Sequence, residues 1–196
     1  RSRSLSTSCQ SAAQAAPDYY DLTVTLDTQT DTETRAVFYL PKLRADQVLV
    51  IDRSGSMTEY EKIAAAKNAA RAFIDHTNVD DMIGVVSFAS DATVDYPLTA
   101  VAGDTQWNAA KAAVNGLAAS GVTALGQGAR LGYDSIVAAG RDDHDWSLAL
   151  LSDGMENVSP YWSDATVSGV IVPSRVVVHT VALGRDADTS LLSHIA

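Results

Sequence analysis

The chemistry of this chain is concentrated in six residues, Asp52-Arg53-Ser54-Gly55-Ser56-Met57. Asp52, Ser54 and Ser56 alternate, so a tight loop can bring three oxygen side chains together. Gly55 lets the backbone turn sharply between the serines. Ligation by hydroxyls and carboxylates suits a hard divalent cation, Mg²⁺ or Mn²⁺, which keeps several of its waters. The competing reading of the same residues is a helix start with Ser56 or Thr58 as N-cap and no metal.

The elements around the motif favour a site. It follows Val48-Leu49-Val50-Ile51, an apolar run without charge that reads as a strand buried on both faces. The motif thus stands at the carboxyl end of a central parallel strand, where open α/β sheets place their ligands. Thr58-Glu59-Tyr60-Glu61 reads as a capping box, opening a helix with Ile63, Ala66, Ala70, Phe73 and Ile74 on one face. Further strands are predicted at 83–88, at 93–96 on an edge, at 146–152 and at 175–183. Helical spacing joins Trp107, Ala110, Val114 and Leu117, then Leu125, Ala129, Tyr133 and Ile136. Residues 164–171 are weakly helical, and a last helix, cut short, begins at Leu191. Strand and helix in alternation predict an α/β fold, a doubly wound, mostly parallel sheet flanked by helices.

At Asp52, Ser54 and Ser56 the chain resembles the von Willebrand factor A (vWA) family. Its metal-ion-dependent adhesion site has the form Asp-x-Ser-x-Ser, completed by a distant Thr and a distant Asp. Thr123, in Ser120-Gly121-Val122-Thr123, and Asp153, in Leu150-Leu151-Ser152-Asp153-Gly154, match in type and order. The resemblance covers residues 46–196 and implies a vWA, Rossmann-like fold. It further implies that Ser54 and Ser56 would bind Mg²⁺ or Mn²⁺ directly, and Thr123 directly or through water. Asp52 and Asp153 would act mostly through water. An ion touched by no carboxylate is poorly neutralised, so it would accept an Asp or Glu carboxylate from a protein partner. Three rim segments would set specificity: Thr58, Glu59 and Tyr60; Gly121 and Val122; and Met155, Glu156 and Asn157. The expected function is metal-dependent protein binding, in adhesion or assembly, at an extracellular or cell-surface location. The alternative is a cytoplasmic vWA module of an ATPase or chelatase-type machine.

Composition narrows the other classes. The formal net charge of −10 argues against nucleic acid as a partner. No apolar run reaches the roughly 20 residues of a membrane helix. Cys9, the one cysteine, forms no internal disulfide and builds no cysteine zinc site. A Gly-x-Ser-x-Gly elbow is absent, and no His stands near Ser54 in sequence, so an enzyme is not expected. A metal-dependent hydrolase is the weakest alternative. Gly126-x-Gly128 lacks the third glycine of a dinucleotide fingerprint. Asp142-Asp143-His144-Asp145 looks metal-like but reads as a solvated loop after Gly140. His76 and His179 read as structural.

The N-terminal part is organised differently. Residues 1–17 are rich in Ser, Ala and Gln and read as a flexible leader. Residues 18–45 read as a β-hairpin extension. Its strands are Leu22-Thr23-Val24-Thr25-Leu26 and 35–40, and a polar turn over 27–34 joins them.

Overall fold

The computed structural model describes residues 5–9, 18–26, 29–39 and 43–196. The chain divides into two compact units, Arg1–Leu43 and Arg44–Ala196.

The first unit is an antiparallel sheet of β1 (Leu5–Cys9), β2 (Asp18–Leu26) and β3 (Gln29–Tyr39), in that order. Threonine hydroxyls pair across β2 and β3, Thr23 with Thr32 at 3.0 Å and Thr25 with Thr30 at 3.1 Å. Such cross-strand pairs are a unit of sheet stabilisation. Two sequence expectations fail here. Leu5–Cys9 is a strand paired along β2 rather than part of a flexible leader. Of the turn expected over 27–34, Gln29 to Glu33 instead pair along β2. Those residues are polar but threonine-rich, and β-branched side chains fit a pleated surface whatever their polarity.

The second unit runs β4 (Ala45–Asp52), a 3-10 segment (Gly55–Glu61), α1 (Lys62–His76), β5 (Met82–Phe88), β6 (Ala92–Ala100), α2 (Asp104–Gly116), α3 (Leu125–Ala139), β7 (Asp145–Ser152), α4 (Ser168–Ile171), β8 (Val177–Ala182) and α5 (Thr189–Ile195). The sheet order is β6-β5-β4-β7-β8. All neighbours are parallel except β6, which runs antiparallel on the β5 edge. The predicted doubly wound α/β architecture is therefore present.

Val48 to Ile51 are at most 1% exposed. Successive strand residues point to opposite faces, so β4 feeds two cores at once. Val48 and Val50 pack with Leu148, Leu150, and Leu125, Ala129 and Ile136 of α3. Leu49 and Ile51 pack with Ala149, Leu151, Ala66, Ala70 and Ile74 of α1 and Ala110 and Val114 of α2. Each fully buried Leu, Ile or Val contributes about 1.5–3 kcal/mol, so the centre of the sheet is its most firmly held part. Because β4 lies between β5 and β7, the chain leaving β4 and the chain leaving β7 diverge at one end of the sheet. That end is the topological switch point.

Two further expectations are corrected. Thr58 does not open a capping box; its hydroxyl donates to the Gly55 carbonyl at 2.7 Å. Tyr60 and Glu61 take φ of 51° and 57°, which stops any helix until Lys62. The detour sinks Met57 fully into the core, and that burial outweighs the local capping signal. The loop before β7 is not wholly solvated either. His144 is 4% exposed, and its Nδ1 lies 2.7 Å from Oδ1 of the buried Asp46.

Candidate metal centre

Asp52 ends β4 and is fully buried. Its Oδ1 accepts from the Ser54 amide at 2.8 Å, and its Oδ2 accepts from the Ser152 hydroxyl at 2.6 Å. Burial pushes the Asp52 carboxyl above its ordinary range. The bonds from Ser152 and Ser54 pull it back, and the charge of Asp153 adds to the rise.

The remaining positions arrive on loops fastened to this one. Gly55 donates to the Gly121 carbonyl at 2.9 Å, and Ser120 donates to the Arg53 carbonyl at 2.8 Å. A Cβ on Gly55 would stand 3.0 Å from the Gly121 oxygen, so glycine permits this approach. Thr123 is 2% exposed and follows directly on this joint. Its amide donates to Oδ1 of Asn157 at 2.8 Å, and its carbonyl accepts from the Asn157 amide at 3.1 Å. Asp153, fully buried, follows Ser152 at the end of β7. The loops carrying Asp52, Ser54 and Ser56, Thr123, and Asp153 thus meet at the switch point.

The donor set fits a small hard cation. The Ser54 and Ser56 hydroxyl oxygens lie 3.1 Å apart. Two adjacent ligands of an octahedral ion at 2.0–2.1 Å stand about 3 Å from each other. Each Asp52 oxygen accepts a hydrogen bond and the two hydroxyls pair with each other, so each hydroxyl oxygen keeps a lone pair for an ion. Among the described residues, no group of three or more His, Cys, Asp and Glu side chains could hold a metal. A centre here would therefore rest on hydroxyls.

The rim residues divide. Thr58, Glu59, Gly121 and Asn157 are exposed, as are Tyr60 at 85%, Val122 at 44% and Met155 at 50%. Glu156 turns inward instead. Its Oε1 accepts from the Gly126 amide at 2.8 Å and the Trp162 amide at 2.9 Å. Asn157 spends its carbonyl on Thr123, as above. These two side chains hold the loop in place rather than reach outward.

Two residues that sequence reasoning missed, Ser152 and Lys62, and one that it placed on the rim, Glu156, surround these positions. Ser152 grips Asp52 and also accepts from the Gly154 amide at 2.8 Å. Glu156 braces α3. Lys62 is 2% exposed, with Nζ 3.2 Å from Asp153 Oδ2 and 2.6 Å from Asp186 Oδ2. Burial alone would lower the Lys62 ammonium, but its bonds to Asp186 and Asp153 and their charges outweigh that and raise it. Asp186 is held below the usual carboxylate range, chiefly by its bond to Lys62. A signal for Lys62 did exist: it stands four residues before Ala66, in the same apolar stripe as Ala70 and Ile74.

The family model for the von Willebrand factor type A domain matches residues 47–156, more than half of the chain. The chain belongs to this family. Calcium-activated chloride channel regulator 1 of Bos taurus is 29% identical over 167 residues, 84% of this chain and 18% of that protein. The vWA chain therefore spans under a fifth of that relative's length. Among solved structures, a von Willebrand factor type A protein from Catenulispora acidiphila superposes with a TM-score of 0.64. The identity is 24%, over 99% of this chain and 43% of the other. Proximal thread matrix protein 1 from the mussel byssus, with a zinc-occupied MIDAS motif, gives 0.65 at 18% identity, over 79% and 42%. These likenesses share the fold of this vWA unit. No helix among the described residues is long and apolar enough to cross a membrane.

Proposed function

We propose that this vWA domain is a divalent-metal-dependent protein-binding module, working in adhesion or assembly at the cell surface or outside the cell. Ser54, Ser56 and Thr123 would hold Mg²⁺ or Mn²⁺, with Asp52 and Asp153 acting through water. The ion would take an Asp or Glu carboxylate from a partner, seated among Thr58, Tyr60, Val122 and Met155.

The observation that carries this reading is the donor arrangement. Two hydroxyls stand at ligand-to-ligand spacing, while both Asp52 oxygens are hydrogen-bonded elsewhere. An ion bound by neutral hydroxyls keeps most of its charge for a new anionic ligand. The zinc-occupied motif named in the mussel protein supports the same reading.

The test is calorimetric titration of the metal-free protein with Mg²⁺ and Mn²⁺, beside Ser54→Ala. One-to-one binding abolished in the variant is the expected result. Equal binding in both proteins would remove the assignment.

A further inference from the structure

Lysine is almost never fully buried unless paired. The Lys62 side chain is 1% exposed, Asp153 is fully buried, and the Asp186 side chain is 42% exposed. The fold makes room for this ammonium. Gly184 has φ +93°, and a Cβ there would fall 2.6 Å from Lys62 Cε. The left-handed Tyr60 and Glu61 begin α1 at Lys62 itself. Asp153 is fastened from the same side through its backbone, since its carbonyl accepts from the Asp188 amide at 2.8 Å.

We propose that Lys62 is a fixed internal cation that sets the charge of the metal centre, weakening its hold on the metal and sharpening its preference for an acidic partner. The proposal rests on the metal-binding function argued above. With Lys62 against Asp153, that carboxylate offers little net charge to the ion. Asp52 alone then opposes the two positive charges, and the loaded centre stays positive toward an incoming carboxylate. Without Lys62, both carboxylates would neutralise the ion. Asp186 draws the ammonium away from Asp153 and so returns part of that charge to the centre. Because it is nearly half in water, its own field is screened.

The two side chains therefore have opposite expected effects, which a purely structural role would not produce. Lys62→Met keeps the length of the buried stem and removes the charge. Asp186→Asn removes the outer anion and leaves the ammonium to Asp153. The 196-residue chain is titrated with Mn²⁺ by calorimetry. The loaded protein is then titrated with acetate, and displacement of metal-bound water is read by water-proton relaxation. Lys62→Met should bind Mn²⁺ about tenfold tighter and acetate more weakly. Asp186→Asn should bind Mn²⁺ severalfold more weakly and acetate more tightly, effects of the size expected for one charge at a partly screened site. Weaker Mn²⁺ binding in both variants, or no change in either, overturns the proposal. If Lys62→Met fails to fold by circular dichroism, Asp186→Asn at the surface decides by its sign alone. A wild-type protein that binds no Mn²⁺ overturns the metal reading itself. Wild-type binding lost in Ser54→Ala, with the two charge variants unchanged, overturns only the role of Lys62.

Discussion

At the scale of single residues, the groups proposed to offer oxygen to an ion are distinct from the groups that hold them in place. Ser152 is the clearest of the second kind, donating to Asp52 and accepting from Gly154. Ser152→Ala leaves a buried carboxylate oxygen and a buried amide each short of a partner. The expected cost is about 1–3 kcal/mol, read as a lower urea midpoint, with Mn²⁺ affinity reduced in the same protein. An unchanged midpoint would mean that water replaces the hydroxyl. The residues proposed to offer oxygen were picked out in the sequence by their types and spacing. The roles of Ser152 and Lys62, and the inward turn of Glu156, expected on the rim, were not, because their partners lie 100, 91 and 30 residues away. Only folding makes those distances short.

At the scale of elements, α3 shows how one loop supplies what another lacks. The residue preceding this helix is Ala124, which has no side chain to cap it. Glu156 provides the missing acceptor from across the site, bonding the Gly126 amide in the first turn, where negative charge is also favoured. Glu156→Ala should therefore destabilise the protein by about 1–3 kcal/mol, since two amides lose their acceptor. Glu156→Gln should cost less, because Oε1 accepts from both amides and a carboxamide oxygen keeps those two bonds, while the second bond of the Trp162 amide, to Oε2 at 3.0 Å, is lost. Burial raises the Glu156 carboxyl above its ordinary 4.5, against the pull of the Trp162 and Gly126 amides, and Asp164 adds to the rise. A raised carboxyl ionises first in the unfolded chain, so wild-type stability falls as pH climbs from 4.5 through the folded-state value. Urea midpoints measured from acid to neutral pH should show a smaller loss in Glu156→Gln than in wild type, the remainder coming from the buried Asp52 and the half-buried Asp95, whose carboxyls are raised in the same direction. Parallel profiles would refute it. The capping box expected at Thr58 failed for a related reason. Local capping contributes about 1 kcal/mol, whereas burial of a side chain such as Met57 is worth more.

At the scale of the whole unit, β4 carries a polar cluster at each end, and the two have different work. Its carboxyl end bears the candidate centre. Its amino end bears Asp46, fully buried, bonded to His144 and to the Arg141 amide. Asp46 and Asp52 stand six positions apart on the strand, about 20 Å of extended chain, with the most buried part of the sheet between them. The sheet itself was predictable because buried strands and amphipathic helices alternate in a register that periodicity reveals. The Asp46–His144 pair was not, since His144 sits among acidic residues that resemble a solvated loop. Its burial follows from the parallel pairing of β4 with β7, which sets Asp46 opposite Trp146, two residues beyond His144. His144→Ala should remove a buried hydrogen bond and leave a carboxylate oxygen short of a donor, lowering stability by about 1–3 kcal/mol. It should leave Mn²⁺ affinity unchanged, because rigid packed strands separate the two ends. Ser54→Ala should do the reverse, abolishing metal binding at little cost in stability. Thermal melts and Mn²⁺ titrations on the two variants test this division. A loss of metal affinity in His144→Ala at temperatures well below its melting point would show that the ends of β4 are coupled through the sheet.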